Sequence, residues 1–326
     1  ENDSSVPADT YPDLPVFPEE TKGMVSAFQM QKEEYNWTNK NFIIEDPNDL
    51  VIYELLIRDF CEEQNLQGVI DRLDYLENLG INAIELMPVQ EFDNHDSWGY
   101  DPIAYFAMEK DYGTRNMYKE FVNECHKRGI AVLVDVVYNH LTGNNAFDKM
   151  YPLKVNPFFN EVAPHPYGVF EDVNHENEVI VNYIKRSLGY LLTEYKVDGF
   201  RMDLSHGLCG TTNNAMIHIA DYYNNGVKAV SEDAYFILEH WGANMGSDRP
   251  ALVKQGMMCW ENTNDAYRKT AAGNTGSSFS NANKLGYVSY CESHDEERMQ
   301  YEAKTRGVGD LKNNTNARLK RVAANV

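Results

Sequence analysis

The five cysteines (Cys61, Cys125, Cys209, Cys259 and Cys291) contain no CxxC pair and are odd in number, so the sequence offers neither a disulfide framework nor a thiolate zinc site. They read as small buried hydrophobes. Long apolar runs are also lacking: no stretch reaches the roughly 18 residues of a membrane span, which excludes membrane insertion by a helix. Positive charge is scarce, with 29 Lys and Arg against 50 Asp and Glu and a net charge of -21. That balance excludes a nucleic-acid partner, whose phosphates need clustered cations, and favours a neutral or cationic ligand. No GxSxG elbow, phosphate loop or glycine-rich dinucleotide fingerprint is found, which removes serine hydrolases, P-loop enzymes and nicotinamide enzymes. An initiator Met and a signal-like apolar run are missing at Glu1, so a trimmed start is expected.

What is present is a rhythm. Residues 1–49, rich in Pro, Asp, Glu and Asn, show no periodicity and read as a linker. From Leu50 onward, short apolar runs alternate with amphipathic stretches, as in repeated βα units. Seven strands are expected, within 50–57, 81–88, 130–137, 197–203, 234–241, 253–260 and 285–293. The stretch LQGVIDRLDYLENLG is expected to form a helix with Val69, Leu73, Leu76 and Leu79 along one face and Gly80 ending it. Strands this apolar suit a (β/α)₈ barrel over 50–326 better than an open sheet. The count stops at seven, with Val326 inside the helix after the last strand, so the barrel reads as truncated before its eighth strand and further domains of a longer protein are expected. Residues 138–176, aromatic and rich in Pro and Asn, form an inserted loop over the catalytic face.

Parallel barrels place chemistry at the C-terminal ends of their strands. Four expected strands end abruptly in polar residues: Asp135 with Asn139 and His140 after the third, Arg201 and Asp203 on the fourth, Glu239 with Trp241 on the fifth, and Glu292, His294 and Asp295 on the seventh. One such acid alone reads equally as a helix cap, but the set reads as catalysis. Gathered carboxylates without a cysteine or serine nucleophile fit glycosidic-bond cleavage, in which one carboxyl stays protonated and another ionised. Arg201, two residues from Asp203 and on the same strand face, favours the ionised form, which makes Asp203 the better nucleophile. Asp135 is expected to form a buried ion pair with Arg201. His126, His165, His175 and His218 show no metal spacing and read as surface or loop residues.

The motifs DVVYNH (135–140), GFRMD (199–203), EHW (239–241) and ESHD (292–295), with WGYDP at 98–102, resemble the α-amylase family, glycoside hydrolase family 13, in the family's order. The resemblance runs from about Leu50 to the C-terminus. It implies Asp203 as nucleophile, Glu239 as general acid/base and Asp295 as transition-state stabiliser. His140, His294 and Arg201 would contact or orient the cleaved ring, and Tyr100 would stack on it. Trp241 is the second aromatic residue assigned to sugar. Asn139, with Asp135, is assigned structural support. Asn139 helps hold calcium in many amylases and not in branching or debranching relatives, so the resemblance leaves calcium open while requiring no cofactor. Leu-Ser-His-Gly after Asp203 departs from the Lys-His pair of many α-amylases, and SWGYDPIAYF and YCESHDEER look closer to the pullulanase, isoamylase and branching-enzyme side.

The expected activity is retaining hydrolysis of α-1,4 bonds in starch-like or glycogen-like α-glucans, with branching or α-1,6 debranching as alternatives and a non-catalytic glucan-binding barrel as a reading of another class. Carboxyl groups about 5 to 5.5 Å apart are expected of a retaining pair. A polymer-sized substrate and the trimmed start favour a secreted, periplasmic or cell-surface location over the cytoplasm.

Overall fold

A computed structural model describes residues 18–20, 25–26, 30, 34–39, 42–44, 46–210, 214–274 and 284–323. Much of the expected linker lies outside the described residues. The chain forms two compact units, Glu1–Ala243 and Asn244–Val326.

In the first unit the strands are β1 (Ile52–Leu55), β2 (Ala83–Leu86), β3 (Ala131–Val136), the short β4 (His140–Leu141) and β5 (Glu171–Asp172), then β6 (Gly199–Met202) and β7 (Tyr235–Leu238). Five of them lie parallel in the order β1-β2-β3-β6-β7, with Ala83 opposite Ala131, Asp135 opposite Arg201 and Arg201 opposite Ile237. Every residue of β2, β3, β6 and β7 is buried, as a sheet covered on both faces requires. Gly199 permits the β6–β7 approach, because a Cβ there would meet the Tyr235 carbonyl oxygen at 2.5 Å.

Crossover helices return the chain between strands. Arg115–Lys127 is capped by Thr114, whose Oγ1 accepts from Met117 N, and Glu178–Tyr190 is capped by Asn177, whose Oδ1 accepts from Val179 N. The latter buries Ile180, Ile184 and Leu188 and runs on into π-helical turns at Leu191–Tyr195. The insert at 138–176 folds around antiparallel β4 and β5 and the short helix Ala146–Met150. Part of the segment before β1 lies against this unit: Thr38 N donates to Asn123 Oδ1 at 2.9 Å, and Phe42 stacks on His126 with ring centres 4.3 Å apart.

The second unit pairs β8 (Met258–Asn262) in parallel with β9 (Tyr287–Tyr290), flanked by helices Met245–Lys254, Asn264–Ala271, Met299–Arg306 and Thr315–Ala323. Strands alternate with helices in α/β fashion, giving the sequence of a (β/α)₈ barrel through its seventh strand.

Three details differ from expectation. The helix before β2 is two helices, Leu66–Ile70 and Leu73–Leu79, and Leu79 is 53% exposed, because the break at Asp71–Arg72 turns it off the face formed by Val69, Leu73 and Leu76. Val253 and Lys254 belong to a helix whose Leu252 is buried, and the sixth parallel strand starts only at Met258. His126, His165 and His175 are buried, since each has a hydrogen-bond partner inside: Asp198, the Tyr167 amide and the Tyr222 hydroxyl.

Candidate active site

Three neighbouring strands of the first unit deliver the acids. Asp135 is on β3, Arg201 faces it from β6, Asp203 follows β6 and Glu239 follows β7. Arg201 is fully buried and binds all three carboxylates. Its Nη1 donates to both oxygens of Asp135, each at 3.0 Å, and to Asp203 Oδ1 at 2.7 Å, while Nη2 lies 3.1 Å from Glu239 Oε1. Burial alone would favour a neutral guanidine, but Asp135, Glu239, Tyr100 and Asp203 outweigh it and hold the Arg201 pKa well above its ordinary value. It is a permanent cation surrounded by acids.

The main chain ties together the two strand ends that carry these carboxyls. Glu239 N donates to Met202 O at 3.1 Å, and Ser205 N returns to Glu239 O at 3.0 Å. Leu204, directly after Asp203, adopts a left-handed conformation (φ 45°, ψ 44°), and its N–H donates to Glu239 Oε2 at 2.7 Å. A non-glycine residue in that region carries strain of about 1–3 kcal/mol, held here by the turn that aims this donor at the acid.

Tyr100 forms one wall. Its hydroxyl donates to Asp135 Oδ2 at 2.6 Å and its ring lies 5.9 Å from Arg201 Cζ. Burial, with Asp135 next, pushes its pKa well above the usual phenol value, so it remains a donor. Gly99 before it has φ +93°, and a Cβ there would meet Pro88 O at 2.4 Å, so the turn needs glycine. His140 supports the same loop: its Nε2 is 2.9 Å from the Tyr100 carbonyl, and its Nδ1 is 3.1 Å from Asn139 Nδ2. Burial lowers the His140 pKa, which fits a neutral ring donating from Nε2. His140 thus holds the backbone of Tyr100.

The structure brings together Tyr100, Asp135, Asn139, His140, Arg201, Asp203 and Glu239, and Trp241, partly buried, follows Glu239 by two residues. His294 and Asp295 are carried by the second unit, where His294 Nε2 is 3.5 Å from Asp295 Oδ1 and the Asp295 side chain is 57% exposed. Asp295 N donates to Ser293 Oγ at 3.2 Å, and the His294 ring lies 6.4 Å from Trp260.

Beside Asn139 the donors differ from a calcium cage. Asn139 Oδ1, Asp172 Oδ2 and His165 Nε2 are all buried without a hydrogen-bond partner, the last two lying 2.8 Å apart, and a Cβ on Gly207 would come within 1.9 Å of Asn139 Oδ1 and 3.1 Å of His165 Nε2. An imidazole occupies space beside the carboxylate, whereas calcium takes six to eight oxygens.

Sequence reasoning overlooked two contributors. Glu85 on β2 is 2% exposed and its Oε1 has no hydrogen-bond partner; burial, then Asp135, pushes its carboxyl well above the usual range, which favours the neutral form. Its signal was an acid inside the apolar run INAIELMP. The left-handed turn at Leu204 leaves no signal in residue type.

A family model described as the α-amylase catalytic domain matches residues 34–159. Malto-oligosyltrehalose trehalohydrolase of Saccharolobus solfataricus is 37% identical over 193 residues, 58% of this chain and 32% of that protein. Chloroplastic isoamylase 1 of Arabidopsis thaliana is 33% identical over 213 residues, 53% of this chain and 27% of its own. The chain thus spans about a third of the length of the curated relatives it matches. Among solved structures, the Paenibacillus barengoltzii pullulanase complex with maltohexaose and α-cyclodextrin superposes with a TM-score of 0.69 at 20% identity, over 88% of this chain and 55% of that one, which speaks to the fold. With the acids in place at the ends of β3, β6 and β7, these matches make the chain similar to the α-amylase catalytic domain and to curated trehalohydrolase and isoamylase relatives.

Proposed function

We propose that this chain carries the catalytic centre of a retaining glycoside hydrolase that cleaves α-1,4-glucosidic bonds in starch-like or glycogen-like α-glucans. The observation that carries the reading is one guanidinium touching both Asp203 and Glu239 at the ends of adjacent strands, the paired-carboxylate centre that glycosidic-bond cleavage needs, with retention taken from the motif resemblance. Asp203, held beside the cation, attacks the anomeric carbon. Glu239 gives its proton to the departing glycosidic oxygen. In the second half, Glu239 takes a proton from water, whose oxygen displaces Asp203. Leu204 N–H and Arg201 Nη2 stabilise the Glu239 carboxylate that the first half produces. The motif resemblance assigns Asp295 and His294 to sugar binding, and Asp135 and Tyr100 position the Arg201 cation.

Relatives named isoamylase and pullulanase favour a second reading, α-1,6 cleavage at the same acids. Product analysis on amylose against pullulan separates the two. Asp203→Asn is expected to lower turnover on a chromogenic maltooligosaccharide by on the order of a thousandfold or more, and activity equal to the parent would leave a glucan-binding barrel as the surviving reading. Glu239→Gln should fail similarly but regain its first step on a substrate with a good leaving group. Calcium is not part of this proposal, because His165 stands against the Asp172 carboxylate.

A further inference from the structure

Strand register sets ionisable side chains in a row across the first unit. Glu54 on β1 stands opposite Glu85 on β2, and Glu85 stands opposite Leu133 on β3, two residues before Asp135. Side chains alternate along a strand, so Asp135 shares the face of Leu133 and hence of Glu85, and Arg201 on β6 stands opposite Asp135. The adjacent strands β1, β2, β3 and β6 thus bring acid, acid, acid and cation to one face.

Glu85 is the buried acid of this row that the reaction proposed above does not use. Its Oε1 is buried without a hydrogen-bond partner, and a carboxylate enclosed in that way takes up a proton in preference to remaining an uncompensated charge. The groups facing it act in the same direction on balance. Burial first, then Asp135 from β3, holds the Glu85 carboxyl well above its usual range against the pull of Arg201 from β6, and Glu54 from β1 and Glu239 after β7 add to the rise. A Leu or Met would fill the same place without leaving a polar atom unsatisfied, so the acid calls for a reason beyond packing.

The reason lies in the charge around Arg201. In the first half of the proposed reaction Asp203 loses its charge on bonding to the anomeric carbon, and Glu239 gains one on giving its proton to the departing oxygen. The number of negative charges at Arg201 is therefore the same before and after the step, and one guanidinium serves both states. A further anion at Glu85 would repel the charge that Glu239 has to acquire and make Glu239 slower to give up its proton. We infer that Glu85 is a positioning residue of this centre, whose retained proton lets Glu239 become negative and whose loss of that proton to bulk base slows the first half of the reaction. The inference rests on the catalytic reading above. Glu85 acts through the charge at Arg201 and Glu239, not through contact with sugar.

The test follows turnover and protonation separately. Across a range of pH, kcat and KM on the glucan that is hydrolysed, amylose or pullulan, are measured for the parent, for Glu85→Gln, which keeps the shape without an acidic proton, and for Glu85→Asp, which keeps a titrating carboxyl. Thermal denaturation checks that each variant is folded. Glu85→Gln is expected to move the alkaline midpoint of kcat upward by about half a unit or more with KM within about twofold of the parent, and Glu85→Asp to keep a midpoint close to the parent's. A residue that only fills space would leave the midpoint of the Gln variant in place. Hydrolysis with an unmoved midpoint in Glu85→Gln, or with the same shift in both variants, overturns the role and leaves the catalytic reading standing. Infrared difference spectra of parent against Glu85→Gln read the proton without turnover: the carbonyl band of a protonated carboxyl at neutral pH is expected, and a carboxylate band in its place overturns the inference. That protonated band in a folded chain that hydrolyses neither glucan overturns the catalytic reading, and with it the part given to Glu85 in turnover.

Discussion

Arg201 is where the fold and the chemistry share one side chain. Its single charge is set against Asp135, Asp203 and Glu239 with no solvent access. Replacing it by Met, similar in reach but neutral, leaves those acids without their shared cation, and breaking a buried ion pair in this way costs about 3–5 kcal/mol. Urea unfolding of Arg201→Met should show a loss of that order, together with loss of turnover; a loss below about 1 kcal/mol would mean that the acids find other partners. Lys restores the charge but not the planar fork that reaches Asp203 and Glu239 through two nitrogens, so Arg201→Lys should recover only part of the stability. The Arg201–Asp135 and Arg201–Asp203 contacts were legible in the sequence, because strand period and strand-end position put those residues on one face. Leu204 was not legible, since a left-handed residue that is neither Gly nor Asn carries no signal in its side chain.

At the scale of elements, the loop between β2 and the helix Arg115–Lys127 bears Tyr100 and has its own buried ionic cluster. Glu91 and Glu109 share Lys110, all three nearly inaccessible, and Glu109 Oε1 accepts from Asp111 N at 2.9 Å. Burial, then the neighbouring Glu91, pushes Glu109 up to about 8. A carboxyl raised in this way binds its proton more tightly folded than unfolded, so its contribution is complete below about 4.5 and is lost as pH rises through about 8. His175 works in the opposite sense: buried against Tyr222, it is lowered to about 3, so its contribution is present above 6.5 and lost as pH falls toward 3. The thermal midpoint should therefore peak on the acid side of neutrality and fall toward pH 8. Glu109→Gln should flatten the alkaline limb, and an unchanged limb in that variant would remove Glu109 as its cause. This cluster left little trace in the sequence, where Glu91 and Lys110 are 19 residues apart. The buried histidines escaped for the same reason: His165 meets Asp172, and His126 meets Asp198, only after the chain has folded. Strand positions were legible from apolar runs, whereas VKQG at 253–256 was ambiguous because Val253 and Lys254 are the last residues of a helix that ends one turn before β8.

For the molecule as a whole, the barrel order and the likeness to the α-amylase family were legible because five motifs occur in one order, each at a strand end or in the WGYDP turn. Bond specificity was not, because it resides in loops that periodicity does not describe. The metal question also belongs at this scale. With His165 beside Asp172, chelation by EDTA should leave both the thermal midpoint and glucan hydrolysis unchanged, while a fall of more than about 5 °C restored by added calcium would show that an ion holds the insert in place. The ladder from Met202 O to Glu239 N, and from Glu239 O to Ser205 N, has a further consequence. Because peptide groups tie together the strand ends from which Asp203 and Glu239 project, the insert can be reshaped while the two carboxyls keep their places on the sheet. Under the proposed reading, descendants of such a scaffold can exchange one sugar polymer for another while inheriting the same pair of acids.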